Sequence, residues 1–382
     1  MPNNPIIVIG GGYAGLAALG AVSGCIRGRT ALLFDSQDYH TVKTRLYESA
    51  VSSDRNFLIN LPLKTFADMH RAEFIRERVD EINFGNRRVI AGGSSYEYDS
   101  LLVAPGGEAN YFGIEGAAEN AQALTDSKGA AKCARRVTEL RIGKGGSPAR
   151  RIVVCGGGLA GIEVAAMLRQ SYPDKRRLQI ALVEKMDRIM GASQGNEAQR
   201  AHVSGWFYKN AIEIRTSTTV TKITASGVET ETGGNIEADM VYWCSGVKRA
   251  DVGGVEKGKR FIVGDTLQLS DQPGVFSTGD FTFVESKRRF ANLMSAQRAI
   301  YQGRIAGVNI SRYLQGLQLR KSRYQPFGEL IALGDFDGAG TVRGTPVFGA
   351  VCSALKKANE LKYLAQLYES APALMKKISP TM

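Results

Sequence analysis

Four consecutive apolar residues, Ile6 to Ile9, stop at Gly10-Gly11-Gly12 and give way to Leu16-Ala17-Ala18-Leu19, whose pattern is helical. A β-branched run this short and continuous fits a strand buried on both faces, as in a parallel sheet. The same succession returns later in the chain. Arg151 to Cys155 reads as a strand, Gly156-Gly157-Gly158-Leu159-Ala160-Gly161 as a glycine turn, and Ile162 to Leu168 as a helix. Each copy is followed by a second apolar run ending on an acid: Ala31 to Phe34 before Asp35, and Leu178 to Val183 before Glu184. This order of strand, turn, helix, strand and acid, met twice, predicts an α/β protein with two Rossmann-like sheets. From Pro326 the pattern changes. Glu329 to Gly334 and Thr341 to Arg343 read as short strands around a turn at Asp335 to Gly340, ahead of a helix from Phe348.

The glycines have separate jobs. Gly10 and Gly156 permit the tight turn, Gly12 and Gly158 let the backbone approach a pyrophosphate, and Gly15 and Gly161 let the helix pack on its strand. Tyr13 and Ala14 complete the first turn, where the helix N-terminus offers free N–H groups and a positive dipole to phosphate. Asp35 and Glu184 stand where a carboxylate accepts hydrogen bonds from an adenosine ribose. Two such turns imply two dinucleotides on one chain. A carboxylate at Glu184 would repel the 2′-phosphate of NADP by about 1 kcal/mol or more. NADH is therefore expected over NADPH, with Lys185 and Arg188 close enough to soften the preference.

Composition narrows the partners. The chain has 382 residues, 43% hydrophobic and 23% charged, which excludes bulk disorder. Cys25, Cys133, Cys155, Cys244 and Cys352 form no Cys-x-x-Cys pair, and His40, His70 and His202 stand far apart, so neither a disulfide framework nor a metal centre is expected. The net charge of +12 calls for an anionic neighbour. Its basic residues come in scattered groups such as Arg150-Arg151 and Lys287-Arg288-Arg289 with no interleaved aromatic stripe, so nucleic acid is not expected. The apolar stretch from Pro5 to Val22 imitates a signal-peptide core, but glycines break it and no basic residue precedes it, so it is read as part of the fold. No window reaches the roughly 20 apolar residues of a spanning helix.

On these motifs the chain resembles the two-dinucleotide-binding flavoproteins, the pyridine nucleotide-disulfide oxidoreductase-like superfamily. Tyr98 to Gly106 is similar to that family's passage out of its FAD domain, with Pro105 where the family usually has Thr, and Asp239 to Gly246 is similar to the return. Gly274-Val275-Phe276-Ser277-Thr278-Gly279-Asp280 is similar to the family's late FAD signature. The resemblance implies an FAD domain over 1–125 and 265–325, an NAD(P)H domain over 145–264, and a small C-terminal α/β element over 326–382. It implies that Ala104, Gly106, Gly246, Gly279 and Asp280 join the glycine turns in holding the cofactors.

Within the superfamily, Asp38-Tyr39-His40, Arg45-Leu46-Tyr47-Glu48 and the stretch Ser295 to Gly303 most resemble type II NADH dehydrogenases, the NADH:quinone oxidoreductases. That resemblance implies FAD and NADH as cofactors, no metal, a hydride passed to the flavin and two electrons passed on to a quinone-like acceptor. It places Arg45 and Ala296 beside the flavin, Glu163 near the nicotinamide, and Gln297, Tyr301 and Gln302 towards the acceptor, Tyr301 standing where the family has Gln. It implies a cytoplasmic location at the inner face of a membrane. Val351, Leu355, Ala358, Leu361, Leu364 and Ala365 recur at helical spacing among lysines, with Leu374 to Ile378 beyond; a membrane surface, a cover over the FAD domain and a homodimer contact all fit that face. Three other readings stay open: a soluble reductase serving an iron–sulfur protein, a sulfide:quinone-type oxidoreductase, and an NADH-sensing interaction module. Cys25 has no nearby partner, which speaks against a disulfide reductase, and the other cysteines match no sulfide-oxidising pattern.

Overall fold

The computed structural model describes residues 4–23, 28–55, 59–142, 148–191, 196–255 and 261–368; Cys25 and Leu374 to Ile378 lie outside them. The helices among the described residues are α1 Tyr13–Ser23, α2 Leu46–Ser49, α3 Leu63–Met69, α4 Ala117–Asn120, α5 Ser127–Glu139, α6 Leu159–Ser171, α7 Glu197–Lys209, α8 Ala296–Leu314 and α9 Gly349–Tyr368.

The two apolar runs that open the chain pair in parallel, Ile6 opposite Ala31 and Ile9 opposite Phe34, and sit inside a five-stranded sheet. Its order is Val275–Ser277, Ser100–Val103, Ile6–Ile9, Ala31–Phe34, Ala72–Ile75, every pair parallel. The later copy builds a second five-stranded parallel sheet in the order Ala121–Ala123, Met240–Trp243, Arg150–Cys155, Leu178–Val183, Ile212–Arg215. In both, the strand before the glycine turn is central, and the strand on one side of it arrives from much later in the chain. That is a topological switch point, where a crevice opens beyond the carboxyl ends of the strands. The two linking segments, Gly107–Ala109 and Val247–Arg249, pair antiparallel with each other.

α8 returns to lie on α1 because its glycines allow it. A Cβ on Gly303 would stand 2.2 Å from the Ala14 carbonyl oxygen, and one on Gly307 would stand 2.4 Å from that of Ala18. The C-terminal element is a three-stranded antiparallel sheet, Gly328–Ala332, Gly338–Val342 and Thr345–Phe348, followed by α9. Gly338 to Gly340, read as turn in the sequence, is strand. Cβ atoms on Gly338 and Gly340 would each lie 3.1 Å from Cys352 Sγ, so the glycines make room for α9 against the sheet. α9 then reaches the first core, where Leu364 and Leu367 pack among residues of the first sheet.

Candidate active site

Both turns have the same construction. Gly10 and Gly156 adopt φ of 103° and 114°, which side-chain-bearing residues rarely do. Gly11 N–H donates to Asp35 Oδ2 at 2.7 Å, and Gly157 N–H donates to Glu184 Oε2 at 2.6 Å. The second carboxylate oxygens accept from Gln37 N at 2.8 Å and Met186 N at 2.8 Å. Each acid thus braces its own glycine turn and keeps lone pairs for a ligand. Burial holds the Asp35 carboxyl above its ordinary range, opposed by these backbone donors. A Cβ on Gly12 or Gly158 would meet nothing within 4 Å, so open space lies where a diphosphate would approach. A cleft of about 190 Å³ lined by Gly10, Asp35, Val79, Pro105 and Val252 lies at the first switch point. The donor set and the space both fit a bound dinucleotide.

Gly11 is held from its other side as well. His40 Nδ1 lies 3.0 Å from the Gly11 carbonyl oxygen and therefore carries the proton, leaving Nε2 to accept from the Tyr363 hydroxyl at 2.9 Å. Burial pushes His40 down to about 4, against the hydrogen bond to Gly11, which raises it. A residue of α9 is thereby tied to the first glycine turn.

Beside this, charged side chains from three parts of the chain meet in the interior. Glu163, in the first turns of α6, accepts from Ala332 N at 3.0 Å and lies 3.1 Å from Lys356 Nζ. Lys356 is also 3.2 Å from Glu360 Oε1, one helical turn on. Arg45 Nη2 meets Glu48 Oε2 at 2.8 Å, and its Nε lies 3.9 Å from Glu360 Oε2. Burial raises both Glu163 and Glu360, opposed mainly by Lys356; Lys356 itself is held above its usual value by the two glutamates despite its burial.

At the start of α8, Ser295 caps the helix by accepting from Arg298 N at 3.2 Å. The Arg298 side chain is fully buried, donates to the carbonyls of Ala291 at 3.0 Å and Gly279 at 3.1 Å, and lies 3.5 Å from Asp280 Oδ1. Among the described residues nothing donates an aligned hydrogen bond to Asp280 Oδ1, which leaves it acceptor capacity for a ligand. Gly279, at φ 79°, starts the short turn that carries it. Ala104 N–H donates to Ile9 O at 2.8 Å, which puts Ala104 and the φ 78° Gly106 across the switch point from Gly10. Gly246 accepts from Asn110 N at 3.0 Å beside the paired linkers.

The three residues read towards the acceptor have different neighbours. Gln297 donates to Gly328 O at 3.3 Å, Gln302 accepts from Thr278 Oγ1 at 3.3 Å and donates to Ala291 O at 3.2 Å, and the Tyr301 hydroxyl accepts from Arg323 N at 3.1 Å. His40 and Arg298 enter the sequence reading only inside longer motifs, with no role of their own, and Tyr363, Lys356 and Glu360 are given no role there. The i, i+4 spacing of Lys356 and Glu360 was the visible signal, and it reads equally well as a solvated pair.

α9 divides its apolar pattern between two faces. Its inner face carries Cys352, Ser353, Lys356, Glu360, Leu364 and Leu367, while Val351, Leu355 and Leu361 are 63%, 41% and 59% exposed. No described helix is long and apolar enough to cross a membrane.

The sequence profile of the pyridine nucleotide-disulphide oxidoreductase family matches residues 4–303. A type II NADH:quinone oxidoreductase of Staphylococcus aureus is 24% identical over 376 residues, spanning 92% of this chain and 93% of that protein. Among solved structures, the sulfide:quinone oxidoreductase of Aquifex aeolicus superposes with a TM-score of 0.81 at 18% identity, over 98% of this chain and 94% of that one. NDH2 of Plasmodium falciparum, solved with NADH, superposes with a TM-score of 0.82 at 13% identity, over 95% of each chain. The two structures share the fold described above.

Proposed function

Because the chain belongs to the pyridine nucleotide-disulphide oxidoreductase family, we propose that it is an FAD enzyme that oxidises NADH and reduces a quinone. The observation that carries this reading is the pair of glycine turns built alike, each braced by an acid and each opening at a switch point, beside a buried Glu163–Lys356 pair. When bound, FAD supplies the redox chemistry, receiving a hydride from NADH and returning two electrons to the acceptor. Gly10, Gly12, Tyr13, Ala14, Gly15 and Asp35 would hold its adenosine diphosphate, with Ala104, Gly106, Gly279 and Asp280 along the rest. Gly156, Gly158, Gly161 and Glu184 would hold NADH. Glu163 and Lys356 are paired away from bulk water near the N-terminal end of α6, and they would orient the nicotinamide and move a proton towards the acceptor.

Thiol chemistry has little support among the described cysteines: burial pushes Cys133 and Cys155 up to about 12 and Cys352 up to about 11. The outward Val351, Leu355 and Leu361 of α9, flanked by Lys357 and Lys362, support a resting place on an anionic membrane surface, at the inner face where NADH is present. The test is anaerobic reduction of the purified yellow protein by NADH or NADPH, then mixing with a soluble quinone, a ferredoxin or sulfide. NADH should bleach the flavin faster, and quinone should restore it. Reoxidation by ferredoxin but not by quinone would overturn the assignment of the acceptor.

A further inference from the structure

Among the described residues, the interior cluster around Lys356 contains three carboxylates, Glu48, Glu163 and Glu360, and two cations, Arg45 and Lys356. None of these side chains is more than 17% exposed. The next cation, Arg55, is spent on Asp335, which it meets through both nitrogens at 2.9 and 3.0 Å. Tyr47, whose hydroxyl donates to Glu48 Oε1 at 3.2 Å and whose ring lies under Lys356, is neutral, as is Tyr13 on α1. Fully ionised, the cluster would bury one uncompensated negative charge, which a protein interior resolves by taking up a proton.

Local bonding shows where that proton goes. Glu163 has a backbone donor and Lys356, and Glu48 has Arg45 and Tyr47. Glu360 has the poorest set: it shares Lys356, 3.2 Å from its Oε1, with Glu163, and beyond that its Oε2 has only Arg45 Nε at 3.9 Å among the described residues. We infer that Glu360 holds a proton at neutral pH and releases it, through Lys356, for quinone reduction. This rests on the functional reading above and adds the source of a proton to it. The balance requires one. NADH gives up two electrons and one proton as a hydride, so forming quinol from quinone draws one further proton from water. Glu360 supplies that proton and is reloaded from solvent, and Lys356 passes it on, which makes Glu360 a positioning residue rather than one that touches substrate. Burial, with Glu163 and Glu48 adding to it, raises Glu360, in keeping with this assignment.

The experiment follows the carboxylic-acid C=O band by infrared spectroscopy of the FAD-loaded protein in the absence of quinone, titrated over about pH 5 to 10. The parent should keep this band above neutral pH, and Glu360→Gln should lose it. Glu48→Gln removes one of the neighbouring negative charges, so it should keep the band and move its titration to lower pH. That variant decides the matter if Glu360→Gln does not assemble, as judged by flavin content. In turnover, Glu360→Gln should slow quinone reduction about tenfold on the alkaline side and shift the pH profile. An unchanged band in Glu360→Gln, or an unshifted titration in Glu48→Gln, overturns the inference. A parent that reduces no quinone while still showing the Glu360 band overturns the functional reading instead.

Discussion

Asp35 and Glu184 illustrate how one residue serves structure and selectivity together. Each ties the middle glycine of its turn and keeps acceptor capacity facing the site. Replacing Glu184 by Ala removes the repulsion of a 2′-phosphate and also the brace on Gly157. The ratio of kcat/KM for NADPH to that for NADH should rise about tenfold, while kcat/KM for NADH falls; steady-state kinetics with both nucleotides checks this. A ratio that stays put would remove the selectivity role from this carboxylate. His40 makes a second residue-level prediction. Burial pushes it down to about 4, so between roughly pH 6.5 and 4 the unfolded chain binds a proton that the native one does not. Stability from this residue is therefore full above about pH 6.5 and is lost as pH falls, by up to roughly 3 kcal/mol. The raised Asp35, Glu163 and Glu360 act in the opposite sense, so the comparison must be with His40→Gln. Denaturant melts of the two proteins should diverge most near neutral pH and converge on acidification.

At the level of elements, the glycine turns were legible because their requirement is local: a positive φ, a close approach and a nearby acid all leave marks within about 30 residues of chain. The inner face of α9 left none. Its periodic apolar positions leave open what they face; the structure exposes Val351, Leu355 and Leu361 and buries Lys356 and Glu360, because their partners Glu163 and Arg45 come from distant segments. Buried charges compensated over long sequence distances are invisible to periodicity. The role of Arg298 escaped notice for the same reason, since its carbonyl partners Gly279 and Ala291 lie in irregular chain. α8 was legible as a helix, but not its contact with α1. Gly303→Val should destabilise the protein by about 2 kcal/mol or more and lower its FAD content, since the new side chain meets the Ala14 carbonyl in the cofactor turn. Thermal melts and the flavin-to-protein absorbance ratio measure both effects. The outer face of α9 carries the membrane expectation. Leu355→Glu with Leu361→Glu should change stability by less than about 0.5 kcal/mol and weaken sedimentation with anionic vesicles about tenfold. Undiminished binding to those vesicles would move the contact elsewhere.

Across the whole molecule, the proposed flavin site is made of pieces that are far apart in sequence. The first turn, Ala104 to Gly106, Gly279 to Asp280 and the start of α8 converge on one switch point, and Tyr363 joins them from α9 through His40. A ligand held by all of these binds the native chain and not the unfolded one, so it adds stability by mass action. Stripping the flavin should therefore lower Tm, and returning FAD at about 100 times its Kd should restore about 2.7 kcal/mol. Riboflavin lacks the diphosphate for which Gly10, Gly12 and Gly15 make room, so it should restore much less. The Tyr363–His40 link makes the outcome specific. Tyr363→Phe deletes the hydroxyl that fixes the His40 ring and hence one brace on the Gly11 peptide. It should weaken FAD retention several-fold while leaving NADH affinity unaltered, because the second turn is braced by Glu184 alone among the described side chains. Equal losses at both sites would mean that the two turns are coupled through the paired linkers Gly107–Ala109 and Val247–Arg249 rather than assembled independently.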